Sequence, residues 1–302
     1  MGRPAAILLA LVLAGCSASP AKPHAALSPL AGQPFPVAPR PTASAPARPA
    51  GEVSLAFAGD VHFAERVAPR LQTHAGDVLG PIGAVLARAD VGMVNFESAI
   101  TERGTPEPKQ FHFRAPPSAL TDLAAAGVDV VTMANNHAVD YGPVGLRDTL
   151  SAVRSSKLPV IGVGATAAQA YAPYLTTVRG TRIAIIAASQ ISDRTAAAWT
   201  ASTTTPGIAT AFALDRLLAA VRAARARADV VVVYLHWGTE GQPCPNSAQV
   251  TLSRQLAATG ADAVVGTHAH LLLGAGWQGR TYVAYGLGNF LWWRDNAYSN
   301  DT

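Results

Sequence analysis

The sequence predicts an α/β fold in which helices flank a buried sheet. Three observations support this prediction: eight short apolar runs rich in Val and Ile, five helical patterns between several of them, and a composition that is 49% hydrophobic but only 14% charged. Short apolar runs of this kind are typical of strands that are covered on both faces. The alternation of strands and helices favours helices on both sides of the sheet, within one domain that we assign to residues 51–302.

Periodic structure begins at Val53, and each apolar run has the length of a strand. In chain order the runs are EVSLAFAG, DVGMVNFE, VDVVTMANN, LPVIGVG, RIAIIAAS, DVVVVYLH, DAVVGTHAH and RTYVAYGLGNF. Some of them, notably the last, fit an antiparallel neighbour as well as a parallel one.

The helical patterns are PIGAVLARAD, PPSALTDLAAAG, GPVGLRDTLSAVRSS, AFALDRLLAAVRAARARAD and SAQVTLSRQLAATG. In the last two, arginines or polar residues stand opposite a Leu/Ala face, and some patterns end at Gly or Asp. The net charge of +4 and the pI near 9.3 are only mildly basic. Because the arginines are scattered, apart from one run that fits the solvated face of a helix, we predict no nucleic-acid partner.

The N-terminal segment is typical of an exported protein. One Arg precedes an apolar run from Ala5 to Ala14, which is too short to span a bilayer as a mature helix and fits a secretory signal. The tetrapeptide LAGC resembles the bacterial lipobox, which implies that residues 1–16 are a lipoprotein signal peptide and that Cys16 is lipidated. An ordinary signal peptide that happens to contain a cysteine is the alternative. We expect an exported protein, anchored by lipid to the outer face of the bacterial cell membrane.

Residues 17–50 are rich in Pro and Ala and cannot bury enough apolar surface to fold. We predict a disordered, partly polyproline-like tether between the anchor and the domain. Cys244 is the other cysteine of the chain and lies between two prolines, so we predict a loop with an idle thiol and no disulfide framework.

Polar residues with metal-ligand side chains follow most of the apolar runs. In an α/β sheet, ligands bind outside the carboxyl ends of the strands, so these residues are the candidates for a functional site. They are Asp60, His62, Glu97, Asn135, Asn136, His137, Asp140, His236, Glu240, His268, His270 and Asn289. Five of the eight histidines of the chain are among them. A lone histidine is commonly a buried hydrogen-bonding residue, but five at the ends of four separate strands indicate a metal site.

Strand geometry brings some of these residues together. Since residues i and i+2 of a strand face the same side, we expect Asp60 and His62 to converge, and also His268 and His270 if the extended conformation persists. The donor set contains imidazole, carboxylate and amide groups but no thiolate. Such a set suits Mn²⁺, Fe or Zn²⁺ rather than Ca²⁺ or a structural zinc site built from cysteines.

Two further histidines, His74 and His112, lie in helix or loop patterns. Together with Lys109 and Arg114, His112 forms a local cationic cluster. This cluster is either a solvated loop or a contact for substrate.

An ordered series of motifs resembles the CapA family, the capsule-synthesis and poly-γ-glutamate biosynthesis proteins related to metallophosphatases. The series covers roughly Val53 to Trp292 and consists of FAGDVH, VNFESAI, MANNHAVDYGPVGL, YLHWGTEG, VVGTHAH and YGLGNF. Each motif is weak alone, but NNHAVDYG, HWGTE and GTHAH in this order are specific together. The resemblance implies a layered, calcineurin-like (metallophosphoesterase-like) sheet core flanked by helices.

The resemblance also implies a site with two divalent transition metals. Asp60, His62 and His270 would hold the first metal, and Glu97 would bridge the two. Asn136, His236 and His268 would hold the second. His137 would protonate a leaving oxygen, Asp140 would assist it, and the groups that orient the ligands would be Asn95, Asn135, Glu240 and Asn289.

Two departures from the family pattern affect the shell of the first metal and the closing edge of the sheet. His62 stands where many members are expected to have an apolar residue, although it restores the Asp-x-His of phosphoesterases. The chain ends twelve residues after Phe290, sooner than expected, so we expect a terminal strand to be missing.

The functions implied are those of a metal-dependent hydrolase in capsule or poly-γ-glutamate metabolism, with a phosphoester or a γ-glutamyl amide as substrate. A non-catalytic protein that binds an anionic polymer and assists its assembly or export is the alternative. An acid at His137 favours the enzyme. A solute-binding lipoprotein would share the anchor but would not explain the histidines. The sequence leaves the oligomeric state open.

Overall fold

The computed structural model describes residues 52–294. The predicted signal peptide, Cys16 and the tether lie outside the described residues. The strands are β1 (Leu55–Val61), β2 (Val91–Phe96), β3 (Ala99–Ile100), β4 (Arg114–Ala115), β5 (Val130–Thr132), β6 (Val160–Ile161), β7 (Val163–Gly164), β8 (Tyr174–Val178), β9 (Thr181–Ser189), β10 (Gly207–Ile208), β11 (Val230–Trp237), β12 (Ala263–His268), β13 (Ala275–Gln278), β14 (Thr281–Ala284) and β15 (Asn289–Leu291). The α-helices are α1 (Arg70–Thr73), α2 (Gly83–Leu86), α3 (Ser118–Ala125), α4 (Gly142–Ser155), α5 (Ala167–Ala170), α6 (Arg194–Trp199), α7 (Leu214–Arg225) and α8 (Ser247–Thr259). No helix within residues 52–294 is long and apolar enough to cross a bilayer.

Most strands belong to two sheets. The first sheet has the order β15-β1-β2-β5-β6 and is parallel throughout. The second has the order β13-β14-β12-β11-β9-β8, with a parallel centre and an antiparallel pair at each edge. The predicted α/β class with a parallel sheet core is therefore confirmed, but the strands form two large sheets rather than one.

A layer of apolar side chains joins the two sheets. Met93 and Val130 of the first sheet share one core cluster with Ile185, Val232 and Tyr234 of the second, and all five are fully buried or nearly so. The hydroxyl of Tyr234 also donates to the carbonyl of Ala58 at 2.6 Å, which links β11 to β1.

Helices cover the opposite face of each sheet. Leu120 of α3 and Leu146 of α4 pack in the cluster behind the first sheet, while Leu217 of α7 and Leu252 of α8 pack behind the second. The central strands are thus covered on both faces, which is the physical reason that their sequences are continuously apolar.

Three differences from the predicted elements concern the two large sheets and the helices around them. The pattern PIGAVLARAD forms only a 3₁₀ turn and the short helix α2. The edge strands β8 and β13 were not predicted, because half-exposed strands lack a continuous apolar run. The last run divides: β14 is parallel to β12 and antiparallel to β13, whereas β15 crosses to the first sheet and lies parallel to β1.

Candidate metal centre

The carboxyl ends of the central strands of both sheets meet at one place. Asp60 of β1 is in register with Asn95 of β2 and with Asn289 of β15. His236, near the carboxyl end of β11, lies beside the end of β12. The backbone N–H of His268 donates to Oδ2 of Asp60 at 3.1 Å, which joins the second sheet to the first. Tertiary structure thereby gathers residues that are more than two hundred positions apart in sequence.

A glycine permits β1 to approach the loop before β15. A Cβ at Gly59 would lie 1.9 Å from the carbonyl oxygen of Gly288. The next residue, Asp60, donates its backbone N–H to that same carbonyl at 3.0 Å. Any side chain at Gly59 would therefore displace the strand that carries Asp60.

Four donor atoms converge around His236. One ligand atom from each of Glu97, His236 and His268 lies within 4.8 Å of the other two. Nε2 of His236 is 3.4 Å from Oε1 of Glu97, 3.1 Å from Nδ1 of His268 and 2.8 Å from Oδ1 of Asn136. Carboxylate, amide and imidazole donors at these distances are suited to one divalent transition metal.

The surroundings of the Glu97 carboxylate indicate whether a cation fits this site. Both of its oxygens are buried, and neither has a hydrogen-bond partner among residues 52–294. Burial raises the pKa of Glu97 to about 7. A buried carboxylate without a donor is unfavourable, and a divalent cation is the group that would compensate it. The residues present therefore fit a metal ion.

Asp60 and His270 form a second group of donors close to His236, whose Nδ1 lies 3.8 Å from Oδ1 of Asp60. Oδ1 of Asp60 accepts a hydrogen bond from Nδ2 of Asn95 at 2.8 Å, and Oδ2 lies 3.7 Å from Nδ1 of His270. Burial, followed by the charge of Glu97, raises the pKa of Asp60 to about 6. A second group of oxygen and imidazole donors thus adjoins the first.

His62 contacts aromatic rings rather than Asp60. Its ring stacks on Phe113 and meets the edge of Trp292, each with centroids 4.3 Å apart. Among the described residues it forms no hydrogen bond or ion pair with Asp60. The backbone N–H of Ala64 donates to Nδ1 of His62 at 3.0 Å, so in the neutral ring the proton resides on Nε2. That nitrogen is buried without a partner, and while protonated it cannot ligate a metal.

The segment after β12 does not stay extended. His268 and His270 have φ values of 91° and 55°, so the condition on which they were expected to share one face is not met. The chain turns at the end of β12, and Nδ1 of His268 faces His236 while Nδ1 of His270 lies 2.8 Å from Oδ1 of Asn289. Positive φ at residues other than glycine is uncommon and concentrates at functional sites.

His137 and Asp140 form a buried pair beside the donor cluster. Nδ1 of His137 lies 2.7 Å from Oδ2 of Asp140, and its Nε2 lies 3.8 Å from Oε1 of Glu97. Burial lowers the pKa of His137 well below its ordinary value and raises the pKa of Asp140 to about 7. One imidazole nitrogen is thus held by a carboxyl group while the other faces the site.

The residues expected to orient the ligands differ in their placement. Asn135 donates from Nδ2 to Oδ1 of Asn95 at 2.9 Å and accepts the backbone N–H of His137 at 3.0 Å. Asn289 contacts His270, as given above. Glu240, in contrast, is exposed and lines the mouth of a cleft.

That cleft leads to the centre. Its lining residues are Phe111, Phe113, His137, Glu240, His270, Trp292, Trp293 and Arg294. A larger apolar groove beside α5 and α7 contains none of the candidate site residues.

Several residues of the site were not identified from the sequence. Oγ1 of Thr267 lies 3.1 Å from Nδ1 of His236, and Phe113 donates its backbone N–H to Oδ2 of Asp140 at 2.6 Å. Lys109, in the predicted cationic cluster, is mostly buried and forms an ion pair with Asp140, so it is not part of a solvated loop. The chain contains only three lysines, so the rarity of this residue type was a signal that could have drawn attention to Lys109.

Comparison with known proteins agrees with the motif series. The PGA biosynthesis protein CapA of Bacillus subtilis (strain 168) is 29% identical over 245 residues, covering 79% of this chain and 63% of that protein. The capsule biosynthesis protein CapA of Bacillus anthracis is 28% identical over 249 residues, covering 80% of this chain and 60% of that protein. The chain therefore spans less than two thirds of the length of these curated relatives.

The crystal structure of the calcineurin-like phosphoesterase YfkN from Bacillus subtilis aligns with a TM-score of 0.43 at 15% identity, covering 73% of this chain and 72% of that one. A family model described as bacterial capsule synthesis protein PGA_cap matches residues 54–292. Since this match covers most of the chain, the protein belongs to the PGA_cap family of bacterial capsule synthesis proteins.

Proposed function

We propose that the protein is a metal-dependent hydrolase of the phosphoesterase type that acts in capsule or poly-γ-glutamate metabolism. The observation that carries this proposal is the buried Glu97 carboxylate. It has no hydrogen-bond partner among residues 52–294, yet it lies 3.4 Å from Nε2 of His236 and 3.8 Å from Nε2 of His137. The description of the family supports the capsule context.

Two divalent ions, Mn, Fe or Zn, would share Glu97. His236, His268 and Asn136 would hold one ion, and Asp60 with His270 would hold the other. The resemblance adds His62 to the residues that hold the second ion. Among these ligands His62 has the least support, because the backbone N–H of Ala64 occupies its Nδ1.

The metals would supply an activated water and stabilise the charge that develops at the attacked centre. His137 would donate a proton from Nε2 to the leaving oxygen, while Asp140 holds Nδ1 at 2.7 Å and fixes the ring. Since burial lowers the pKa of His137 and raises the pKa of Asp140 to about 7, the two side chains would supply this proton as a pair, with the Asp140 carboxyl returning a proton to Nδ1. Both side chains are mostly buried, and His137 also lines the cleft, so a substrate that enters the cleft could receive this proton. An acid held in this way supports catalysis, because a protein that only binds a polymer has no use for it.

A non-catalytic protein that binds an anionic polymer and assists its assembly or export is the second candidate. The aromatic cleft favours it, because Arg294 lines the mouth together with Phe111 and two tryptophans. In this case the metal ions would bind anionic groups of the polymer without cleaving it.

Hydrolysis assays separate the two candidates. Protein reconstituted with Mn²⁺ or Zn²⁺ would be tested on phosphoesters and on poly-γ-glutamate, with the Glu97→Gln variant as a control that lacks the bridging carboxylate. We expect hydrolysis of one substrate class by the wild type alone. Metal-dependent retention of the polymer without cleavage of either class would favour the second candidate.

The location at the membrane is part of the proposal. The LAGC tetrapeptide and the Pro/Ala-rich residues 17–50 support an exported protein whose lipidated Cys16 anchors it to the outer face of the membrane.

A further inference from the structure

Lys109 lies in the segment between β3 and β4, and its side chain contacts the partner of the candidate acid His137. Its side chain is 16% exposed and forms an ion pair with Oδ1 of Asp140, which is fully buried. The same ammonium donates to the backbone carbonyl of Asn136 at 2.6 Å. One cation therefore contacts both the carboxylate that holds His137 and the backbone of a candidate metal ligand.

The carbonyl of Asn136 accepts a second hydrogen bond. Oγ1 of Thr195, in α6, donates to it at 2.8 Å. Two donors from separate segments thus hold the peptide group of Asn136. The side-chain amide oxygen of the same residue lies 2.8 Å from Nε2 of His236, so the orientation of this backbone determines where the amide presents its oxygen.

We propose that Lys109 is a positioning residue that holds Asn136 and Asp140 in the arrangement required by the metal centre and its acid. This inference rests on the proposed metal-dependent function. Lys109 is not among the residues that line the cleft, and its ammonium faces two protein oxygens, so it acts through Asn136 and Asp140 rather than on substrate.

Stability alone does not explain this lysine. Burying an ion pair is often neutral or unfavourable compared with apolar residues of similar volume, because both charges lose their hydration. An exposed lysine, in contrast, incurs little desolvation. Packing therefore does not explain why this charge is largely buried, whereas its contacts with two residues of the site do.

The test compares Lys109→Met, which keeps the length but removes the charge, with Lys109→Arg, which keeps the cation. Lys157→Met is the matched control, because Lys157 is exposed. The dissociation constant for Mn²⁺ or Zn²⁺ would be measured by chelator competition on the full chain. Residues that orient metal ligands typically change metal affinity by about 10–100-fold. We expect a loss in this range for Lys109→Met, partial rescue by Lys109→Arg and no change for Lys157→Met.

Thr195→Val extends the test to the other donor. Both donors contact one carbonyl oxygen, so the effects of Lys109→Met and Thr195→Val on metal affinity are expected to be non-additive. If circular dichroism shows that Lys109→Met does not fold, Lys109→Gln takes its place. Wild-type metal affinity in a folded variant, or additive losses, would overturn the proposal.

Kinetics give an independent measurement wherever the wild type is active. A positioning residue lowers kcat with little change in KM, whereas a residue that binds an anionic substrate raises KM in a salt-dependent way. The second result would overturn the proposal. Metal affinity requires no turnover, so a wild type that binds metal but hydrolyses nothing would contradict the hydrolase and leave the test of Lys109 intact.

Discussion

Nε2 of His137 faces Oε1 of Glu97 at 3.8 Å, while Nδ1 of the same ring is held 2.7 Å from Asp140. The ring is thus fixed on one side and directed toward the donor cluster on the other. Asn136, the preceding residue, directs its amide oxygen to His236. Adjacent residues of one loop thus face two parts of the candidate site, and in the proposed function Asn136 would be a metal ligand and His137 the acid.

Replacement of His137 by Ala should preserve the metal and the fold but lower turnover. A positioned general acid typically contributes about 10²–10⁴-fold in rate. The loss should be smaller for nitrophenyl esters, whose leaving group departs without a proton. His74→Ala, at an exposed histidine, is the control for the kinetic assay. A uniform loss across leaving groups, or loss of bound metal, would identify His137 as a ligand or a structural residue.

Elemental analysis of the reconstituted protein should find two transition-metal ions per chain. His268→Ala and Glu97→Ala should each lose metal, because both side chains belong to the cluster whose donor atoms lie within 4.8 Å. His74→Ala should retain the full content. One ion or fewer in the wild type after reconstitution would show that the site is mononuclear.

His62→Phe should retain both ions. The replacement keeps an aromatic ring between Phe113 and Trp292, and Nε2 of His62 bears the proton while Ala64 donates to Nδ1. Metal content and chelator competition would be compared with the wild type. Loss of one equivalent would establish the ligand role that the family resemblance implies.

Glu97→Gln should stabilise the metal-free protein at neutral and higher pH. Burial raises the pKa of Glu97 from 4.5 to about 7. Between these values the folded state holds a proton that the unfolded chain has lost, so wild-type stability falls as pH rises through this window. At 1.36 kcal/mol per pKa unit, the variant should gain about 3 kcal/mol over the wild type between about pH 4 and pH 8.

Chemical denaturation in the presence of a chelator would measure this difference at several pH values. The wild type and the variant share the other titrating side chains of the site, so the difference between them reports Glu97 together with its effect on the pKa of Asp60. A difference in unfolding free energy that does not change with pH would contradict the expected burial of this carboxylate.

Labelling with a radioactive fatty acid tests the anchor. In a bacterium with lipoprotein processing, the wild type should be labelled and Cys16→Ser should not, because the thiol is the acceptor. Cys244→Ser, at the remaining cysteine of the chain, should be labelled like the wild type. Equal labelling of the wild type and Cys16→Ser, or none in either, would refute lipidation at this position.

Local sequence patterns determined the α/β class and most of its central elements. Continuous apolar runs such as the one in β11 require cover on both faces. The boundaries of α8 are also local signals: the helix begins at a capping box formed by Asn246 and Gln249, and it ends at Gly260, which has a φ of 111°. These signals depend on neighbouring residues alone. The candidates at strand ends could be found in the same way, since parallel strands bring their carboxyl ends to one edge.

Only the tertiary structure decided how the strands divide between two sheets and which polar residues meet. Asp60 and His62 are two residues apart, yet one accepts the backbone N–H of His268 and the other stacks on Phe113. From the sequence, Lys109 belongs either to a solvated loop or to a contact for substrate, but in the structure it is mostly buried and paired with Asp140. Such contacts join residues far apart in sequence, and they depend on packing between elements, which no local pattern encodes.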